Sequence, residues 1–531
     1  MIGTIYSLIP PLITIALVVF TKRVLLSLGF GVISAALILA EFSILNTLSV
    51  IAHTLFNLVF EDGGLLGFLN HWNMAIVIFL LILGVITSYV ILSGGAYAFT
   101  KSITSRIKTR EGVQYTSFVL GLILFIDDYF NALVVGNVSK PLATEKKISR
   151  ARLSYIVDST SAPACIAAPI SSWATGIMGI MAVIFATTGI ERNTFAAFIE
   201  MIPYHFYVFT ALIMVFITIR YNFNIGLMKT YEKEALEGRD SSIAHNEVLT
   251  TNEEKEIRSK QGTVWDLVLP ILVLTLGTIF AMFFTGYLGV EADSTYNLFY
   301  NILDHIDLPA SLLIGGLLGL ITSMVMTYRH IKLKEITKKQ YGHAFYSGAS
   351  SMFESILILF LAWAISELIG ELELGNYLAS VITNANIPIS FIPVVMFIVA
   401  GFMAFATGTS WGSFGILLPI AGTVAAAIDI NLMLPVMSAV LSGAVLGDHA
   451  SPISDTTLLS ATGSGCEVTA HFSSQLPYAL LSGIIAALGY LTYGITRSLL
   501  LSYFVLIICF IAIILYARYL KRVEEAKSNL A

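Results

Sequence analysis

Stretches of about twenty apolar residues recur through this chain, and several are interrupted by a tight cluster of polar ones. Segments 72–93 (WNMAIVIFLLILGVITSYVILS) and 498–517 are each long enough to cross ~30 Å of hydrocarbon as a helix. Composition agrees: 12% of the 531 residues are charged, 56% are hydrophobic, and the mean hydropathy is +0.84. Soluble domains carry roughly 25% charged residues. The expected fold class is therefore an all-α polytopic membrane protein.

Eleven full spans are expected, at 5–21, 24–41, 72–93, 153–187, 201–219, 264–285, 309–327, 344–367, 432–466, 473–495 and 498–517. Residues 43–60 read as an interfacial helix because of His53 and Asn57. Lys and Arg gather in the loops after spans one and three, in 220–262, in 329–339 and near the end. Short cytoplasmic loops are enriched in these residues, so the N-terminus is expected outside and the C-terminus in the cytoplasm of a cell-membrane protein. Arg497 alone falls on the wrong side. Segment 286–308, with four acids and no Lys or Arg, fits an outer loop, as does Asp429. The first residues lack a charged leader and a cleavage site, so 5–21 reads as a retained span. The net charge of −5 lies in loops, and no basic patch with interleaved aromatics suggests a nucleic-acid partner. Cys165, Cys466 and Cys509 give neither a disulfide framework nor a CxxC spacing.

Residues 113–139 break the pattern. Basic residues flank them on both sides, so both ends belong in the cytoplasm, yet two arms of ~21 and ~17 Å are too short to cross and return. A re-entrant hairpin satisfies both constraints, with Asp127-Asp128-Tyr129-Phe130-Asn131 at its tip. Irregular backbone at that depth requires surrounding protein or a water-filled cavity. The second half repeats the first: APISS at 168–172 matches SPISD at 451–455, each after a polar tip, DDYFN (127–131) or TGTSWG (407–412). Segment 340–496 has no Lys or Arg, which places the second hairpin, 387–428, on the opposite side; its longer arms leave a crossing pair open. The expected organisation is a first repeat over 1–222, a solvated cytoplasmic linker over 223–263, a second, inverted repeat over 264–496, and a last helix and tail over 497–531. Inverted-repeat secondary transporters bind their cargo at the midplane, where helices are broken.

Four polar clusters fall where helices should be interrupted: DDYFN, Asp158-Ser159-Thr160-Ser161, TGTSWG, and GDHASPISDTT at 447–457. Pro169 and Pro452 break the helical bonding, and Gly408, Gly412 and Gly447 permit unusual backbone angles. Carbonyls, hydroxyls and one or two carboxylates together make an oxygen cage suited to a small cation. A carboxylate at the bilayer centre costs ~2.5–3.5 kcal/mol to insert, so Asp127, Asp128, Asp158, Asp448 and Asp455 call for a functional reason. Thr407, Thr409, Ser451, Ser454, Thr456 and Thr457 supply candidate hydroxyls. His449 and Glu354 are candidate proton carriers, with His449 a counter-charge to Asp448, and Trp173 and Trp411 could line a solute pocket.

With FIDDYFN, RLSYIVDSTSAP, IAAPISSW, GDHASPISDTT and HFSSQLPYAL in order over about 110–480, the chain resembles the NhaC-type Na+/H+ antiporter family in its longer variety. The resemblance implies an inverted-repeat ion-transporter fold and cation-coupled antiport. It also gives weight to Asp127, Asp128, Asn131, Asp158, Ser159, Thr160, Asp448, Ser451, Ser454, Asp455, Thr456 and Thr457. Many members carry Lys where His449 stands, and some exchange organic acids or amino-acid-like solutes.

Two functional readings follow. In the first, Na+ and H+ compete for the same midplane carboxylates, which couples their fluxes under alternating access. In the second, the cation drives transport of a small organic acid or amino-acid-like solute; the absence of Arg from 340–496 weakens its dicarboxylate form. An enzyme is not expected: HExxH is missing, and Val445-Leu446-Gly447-Asp448 lacks the first Gly of an aspartyl-protease GxGD. A passive channel accounts poorly for a duplicated, inverted arrangement. No cofactor is expected, with Na+ the transported ion, H+ its counterpart, the bilayer the surrounding partner, and a homodimer left open.

Overall fold

The structure is a computed structural model that describes residues 1–531 apart from 22, 61–71, 105, 106, 108, 245–258, 290–301, 303–305, 385–387, 453 and 529–531. The chain is helical almost throughout its described part. Among the described residues nine helices are long and apolar enough to span a bilayer, or eleven when each of two bent pairs counts as one span. The first two expected spans come out short, as helices Ile9–Thr21 and Val24–Leu39 of 13 and 16 residues. At 1.5 Å per residue they cover about 20 and 24 Å, less than a full hydrocarbon core.

The two halves of the chain are built alike. In the first, arms Arg110–Ile123 and Asp128–Glu145 form hairpin one. Broken helix one follows as Arg150–Ala167 and Ser172–Thr188, bent by 43°. Helix Phe206–Tyr221 completes the unit. In the second, arms Ile392–Thr407 and Ser410–Ile428 form hairpin two, and broken helix two is Met433–His449 with Asp455–Ser464. Helix Val468–Thr496 completes it.

Each interruption has a local cause. Gly408 takes φ of 73°, ending the first arm of hairpin two in the left-handed region where Gly carries no penalty. Four of the inner helix starts carry N-caps of the usual chemistry. Asp127 accepts from the Phe130 amide, Ser171 from Ala174, Thr409 from Gly412 and Ser454 from Thr457. A side-chain oxygen at such a position satisfies one of the amides that a helix start leaves over. The chain can thus restart a helix deep inside the protein without stranding donors.

Close packing locks the hairpins to the broken helices. A Cβ placed on Gly447 would lie 2.1 Å from the Gly401 carbonyl oxygen, and one on Gly443 would lie 2.2 Å from that of Phe397. Across the repeats, a Cβ on Gly136 would come within 2.6 Å of the Gly463 carbonyl carbon. Small residues let helix backbones approach to this degree in membranes. A separate bundle of Trp72–Leu92, Trp265–Gly289, Leu308–Lys332 and Lys338–Ser351 flanks this core.

One reading of the charges gains a partner and another is corrected. Arg497, basic on the side expected to be free of Lys and Arg, has a partner: its guanidinium lies 3.2 Å from the Asp429 carboxylate. The first part of the expected solvated linker is solvated on one face only. Helix Leu227–Leu236 packs its Glu232 side chain, 2% exposed, against Arg110 and Ser149. Most of 286–308 lies outside the described residues, as does the Glu354 side chain.

Candidate functional site

Four helices end and four begin where the hairpin tips meet the breaks. Helix ends leave carbonyls over, and helix starts leave amides. The sequence suggests that the carbonyls face a cation, but the structure assigns many of them to protein donors. Asn131 Nδ2 donates to the Gly121 and Leu124 carbonyls, at 2.6 and 3.1 Å, and so braces the turn of hairpin one. The Ser172 amide donates to the Ile126 carbonyl at 2.9 Å, and Ser171 Oγ to that of Cys165 at 2.6 Å. In the second repeat Ser451 Oγ donates to the Phe405 carbonyl at 2.9 Å and Ser410 Oγ to that of Ala444 at 3.1 Å. Each hairpin tip is therefore sewn to the break of its own repeat.

The oxygens that remain belong mainly to side chains. Asp128, Tyr129 and Trp173 from the first repeat face Thr409, Ser410, Trp411, Asp448, Asp455 and Thr456 from the second, around a cavity of about 10 Å³. That is the size of one water molecule or one small ion. Asp448 accepts from Ser454 Oγ and from Thr456 Oγ1, the latter at 2.9 Å. Tyr129 donates to Asp455 Oδ2 at 3.3 Å. Asp455 is exposed and Tyr129 half-buried, so the cavity meets its surroundings on that flank. The opposite flank is aromatic: the Trp173 and Trp411 rings lie 5.8 Å apart and those of Trp173 and Phe414 5.6 Å.

Three predicted side chains carry a buried oxygen with no hydrogen-bond partner among the described residues: Asp128 Oδ2, Asn131 Oδ1 and Thr457 Oγ1. Each forfeits its hydration without return unless water or an ion meets it. Asp128 and Asn131 are three apart in one helix and so share a face. Among the described residues no three His, Cys, Asp or Glu side chains converge as a resident metal centre would need. The donors are instead mixed carboxylate and hydroxyl oxygens, which suit a hard cation that has to leave again.

The other predicted residues sit apart from the cavity. Asp158 is wholly buried in a network that crosses the repeats: Oδ1 accepts from Ser460 Oγ at 3.0 Å, Oδ2 from Gln475 Nε2, and His471 Nε2 lies 3.4 Å away. Gln475 Nε2 also donates to the His449 carbonyl at 2.9 Å. The His449 ring does not serve Asp448 as expected; its Nδ1 meets the Tyr207 hydroxyl at 3.1 Å. Thr160 Oγ1 bonds its own backbone at Ile156, and Thr407 Oγ1 lies 3.4 Å from the Ala404 carbonyl. Ser159 is buried beside Asp158. Asp127 spends its oxygens on the Phe130 amide and on Ser172 Oγ, at 3.0 and 3.1 Å. Tyr129, Ser460, His471 and Gln475 were missed as single residues. Tyr129 stands inside DDYFN, and His471 and Gln475 stand inside HFSSQLPYAL, so the signal was present as motif without an assigned role.

Comparison with known proteins gives this geometry its context. An uncharacterized protein of Haemophilus influenzae is 38% identical over 497 residues, 93% of this chain and 92% of that one. The malate-2H+/Na+-lactate antiporter of Bacillus subtilis is 33% identical over 161 residues, 29% of this chain and 33% of that protein. Among solved structures, the YdaH transporter of Alcanivorax borkumensis is similar over 84% of this chain and 87% of that one, with 11% identity and a TM-score of 0.49. The family model described as the Na+/H+ antiporter family matches residues 164–495, more than half of the chain. The chain belongs to the Na+/H+ antiporter family.

Proposed function

We propose that this protein exchanges Na+ for H+ at the cavity between the hairpin tips, with Asp128, Asp448 and Asp455 as the competing acids. The observation that carries this reading is that carboxylates from both repeats line one space of about 10 Å³. A carboxylate oxygen that holds a proton is a poor ligand for Na+, and one that holds Na+ has lost its proton. Occupancy by one species or the other, followed by exposure to the opposite side, couples the two fluxes without further parts. Thr409, Thr456 and Thr457 contribute hydroxyl oxygens, while Ser454 orients Asp448 and Asn131 holds the tip in shape. Asp158 ties the two broken helices together, which gives both repeats a common reference at the depth of the ion.

The size of the cavity favours an ion over an organic solute. The Bacillus subtilis relative is named for malate and lactate, each of which is larger than the one water-sized body for which the space between Trp173, Trp411 and the acids has room. The clustering of Lys and Arg supports an outside N-terminus and a cytoplasmic C-terminus. In everted vesicles, Asp128→Asn and Asp448→Asn are each expected to abolish Na+-dependent proton movement, and lowering the pH is expected to raise the Na+ concentration needed by the native protein. Normal exchange in both variants would refute the assignment. A proton flux that follows malate or lactate and ignores Na+ would instead favour the organic solute.

A further inference from the structure

Residues 227–244 carry too much structure for a passive connection between repeats. Glu232, 2% exposed, accepts from Arg110 at 2.6 Å and from both the amide and hydroxyl of Ser149, at 2.9 and 2.8 Å. Asp240 accepts from the Arg150 amide at 2.8 Å, and Ser242 Oγ from the Ala151 amide at 3.1 Å. With Ser149 Oγ accepting from Arg152 at 3.1 Å, successive amides at the start of broken helix one are met, most of them by this segment. Two of its acids also oppose the positive end of that helix.

The same segment then binds the other repeat. Ile243 pairs antiparallel with Cys466, just after broken helix two. The Ala244 amide donates to the Gly465 carbonyl at 3.2 Å, and the Glu467 amide to that of Ser242 at 2.8 Å. Slightly upstream, the Tyr478 hydroxyl donates to the Phe223 carbonyl at 3.0 Å and accepts from the Ile225 amide at 2.9 Å. One short stretch therefore grips hairpin one, both broken helices and helix Val468–Thr496 at the end of the core where Arg110, Arg150 and Arg152 lie.

We propose that residues 227–244 are a strap that stays closed through the transport cycle, so that hairpin one and both broken helices travel as one body. The strap rests on the exchange reading only for its functional consequence. Opening it would take Glu232 and Asp240 into water and leave the wholly buried Arg152 without its carboxylate, and the Ser149, Arg150 and Ala151 amides without their acceptors, a costly state for a charge out of water. The moving boundary then lies between this body and the flanking bundle of Trp72–Leu92, Trp265–Gly289 and Leu308–Lys332, rather than between the two repeats.

The native Cys466 allows a direct test. Its pairing with Ile243 is of the non-hydrogen-bonded type, in which Cα atoms stand about 4.5 Å apart, within the range for a disulfide. Ile243→Cys, reconstituted in proteoliposomes and oxidised, is expected to form that bond and to keep the Na+-driven proton flux of its reduced form. The control is Ile243→Cys with Cys466→Ala under the same oxidant. A loss of flux beyond the control, restored by reductant, would overturn the strap. A second reading does not need transport: maleimide labelling of native Cys466, followed by peptide mass, should stay absent with and without Na+ at pH 6 and pH 8. Labelling that appears with Na+ or with the change of pH would mean that the strap opens. If the native protein moves no protons with Na+, the exchange reading fails and the labelling result still decides the strap.

Discussion

Gly136 and Gly463 set the distance between the two repeats about two helical turns from the cavity, and Gly136→Ala tests whether that distance matters. The new Cβ would lie 2.6 Å from the Gly463 carbonyl carbon and 2.9 Å from the Ser464 amide nitrogen. Ordinary contact begins at 3.4 Å, so the shortfall is about 0.8 Å. Both obstructing atoms are backbone, and no rotamer change relieves them. Arm Asp128–Glu145 and helix Asp455–Ser464 must therefore part, and they carry Asp128 and Asp455 about two turns away. Overpacking of this kind costs about 1–3 kcal/mol. Binding sites tolerate displacements of about 0.5 Å, so the cation shell should suffer as well. If even half of a 3 kcal/mol cost falls on the ion-bound state, Na+ affinity drops about tenfold. The assay is proton flux against Na+ concentration in proteoliposomes, with thermal unfolding in parallel. Gly29→Ala is the control, because nothing lies within 4 Å of its Cβ position. If Gly136→Ala keeps the native Na+ dependence and unfolds with Gly29→Ala, the close approach has no functional meaning and the repeats are not registered through this contact.

Removing a partner from the Asp158 network should cost more than changing its charge. Gln475→Ala leaves a buried carboxylate without its main donor and the His449 carbonyl bare, a loss of about 3–5 kcal/mol by analogy with broken buried pairs. Asp158→Asn keeps the shape and should unfold at a higher temperature than Gln475→Ala; the reverse order would refute the bracing role. Arg497→Ala removes a pair whose side chains are 40% and 30% exposed. Surface pairs of this kind contribute at most about 1 kcal/mol, so native exchange and a melting point within a few degrees are expected, and lost transport would mean that the pair does more than neutralise Arg497.

The sequence shows the architecture well because lipid imposes it. Spans and the short arms around DDYFN are readable from length and charge, and the match of APISS to SPISD from the residues themselves. The breaks at 168–171 and 450–454 also fall inside the expected spans 153–187 and 432–466, each longer than the ~20 residues that one straight crossing needs. What the sequence does not reveal is the division of labour among polar residues. Asp158 and Asp448 look alike in sequence, as acids among hydroxyls within apolar segments. Asp158 takes its donors from Ser460 and Gln475, residues about 300 positions away, whereas Asp448 takes them from its near neighbours Ser454 and Thr456 and lines the cavity. Only folding brings Ser460 and Gln475 in. The linker was misread for a related reason: Glu232 and Asp240 sit in a hydrophilic run, and nothing local shows that helix starts 80 to 90 residues away would claim them.

The adjacent acids of hairpin one follow the same logic. Asp127 and Asp128 read as a pair, yet the duplicated fold separates them. Asp127 occupies the N-cap of its arm, the position that Thr409 holds in hairpin two, and each accepts an amide three residues on. A cap needs a side-chain oxygen and not a charge, which is why Thr serves in one repeat and Asp in the other. Asp128 stands one residue further, where hairpin two has Ser410, and there the repeats differ in kind. Ser410 turns back to the Ala444 carbonyl, whereas one oxygen of Asp128 is left buried without a protein donor. Duplication thus accounts for the caps, while the acid beside one of them, Asp128, is present in only one repeat. Asp128 faces the acids of broken helix two, Asp448 and Asp455, instead of a counterpart in hairpin two, so the cavity takes its carboxylates from different elements of the two repeats.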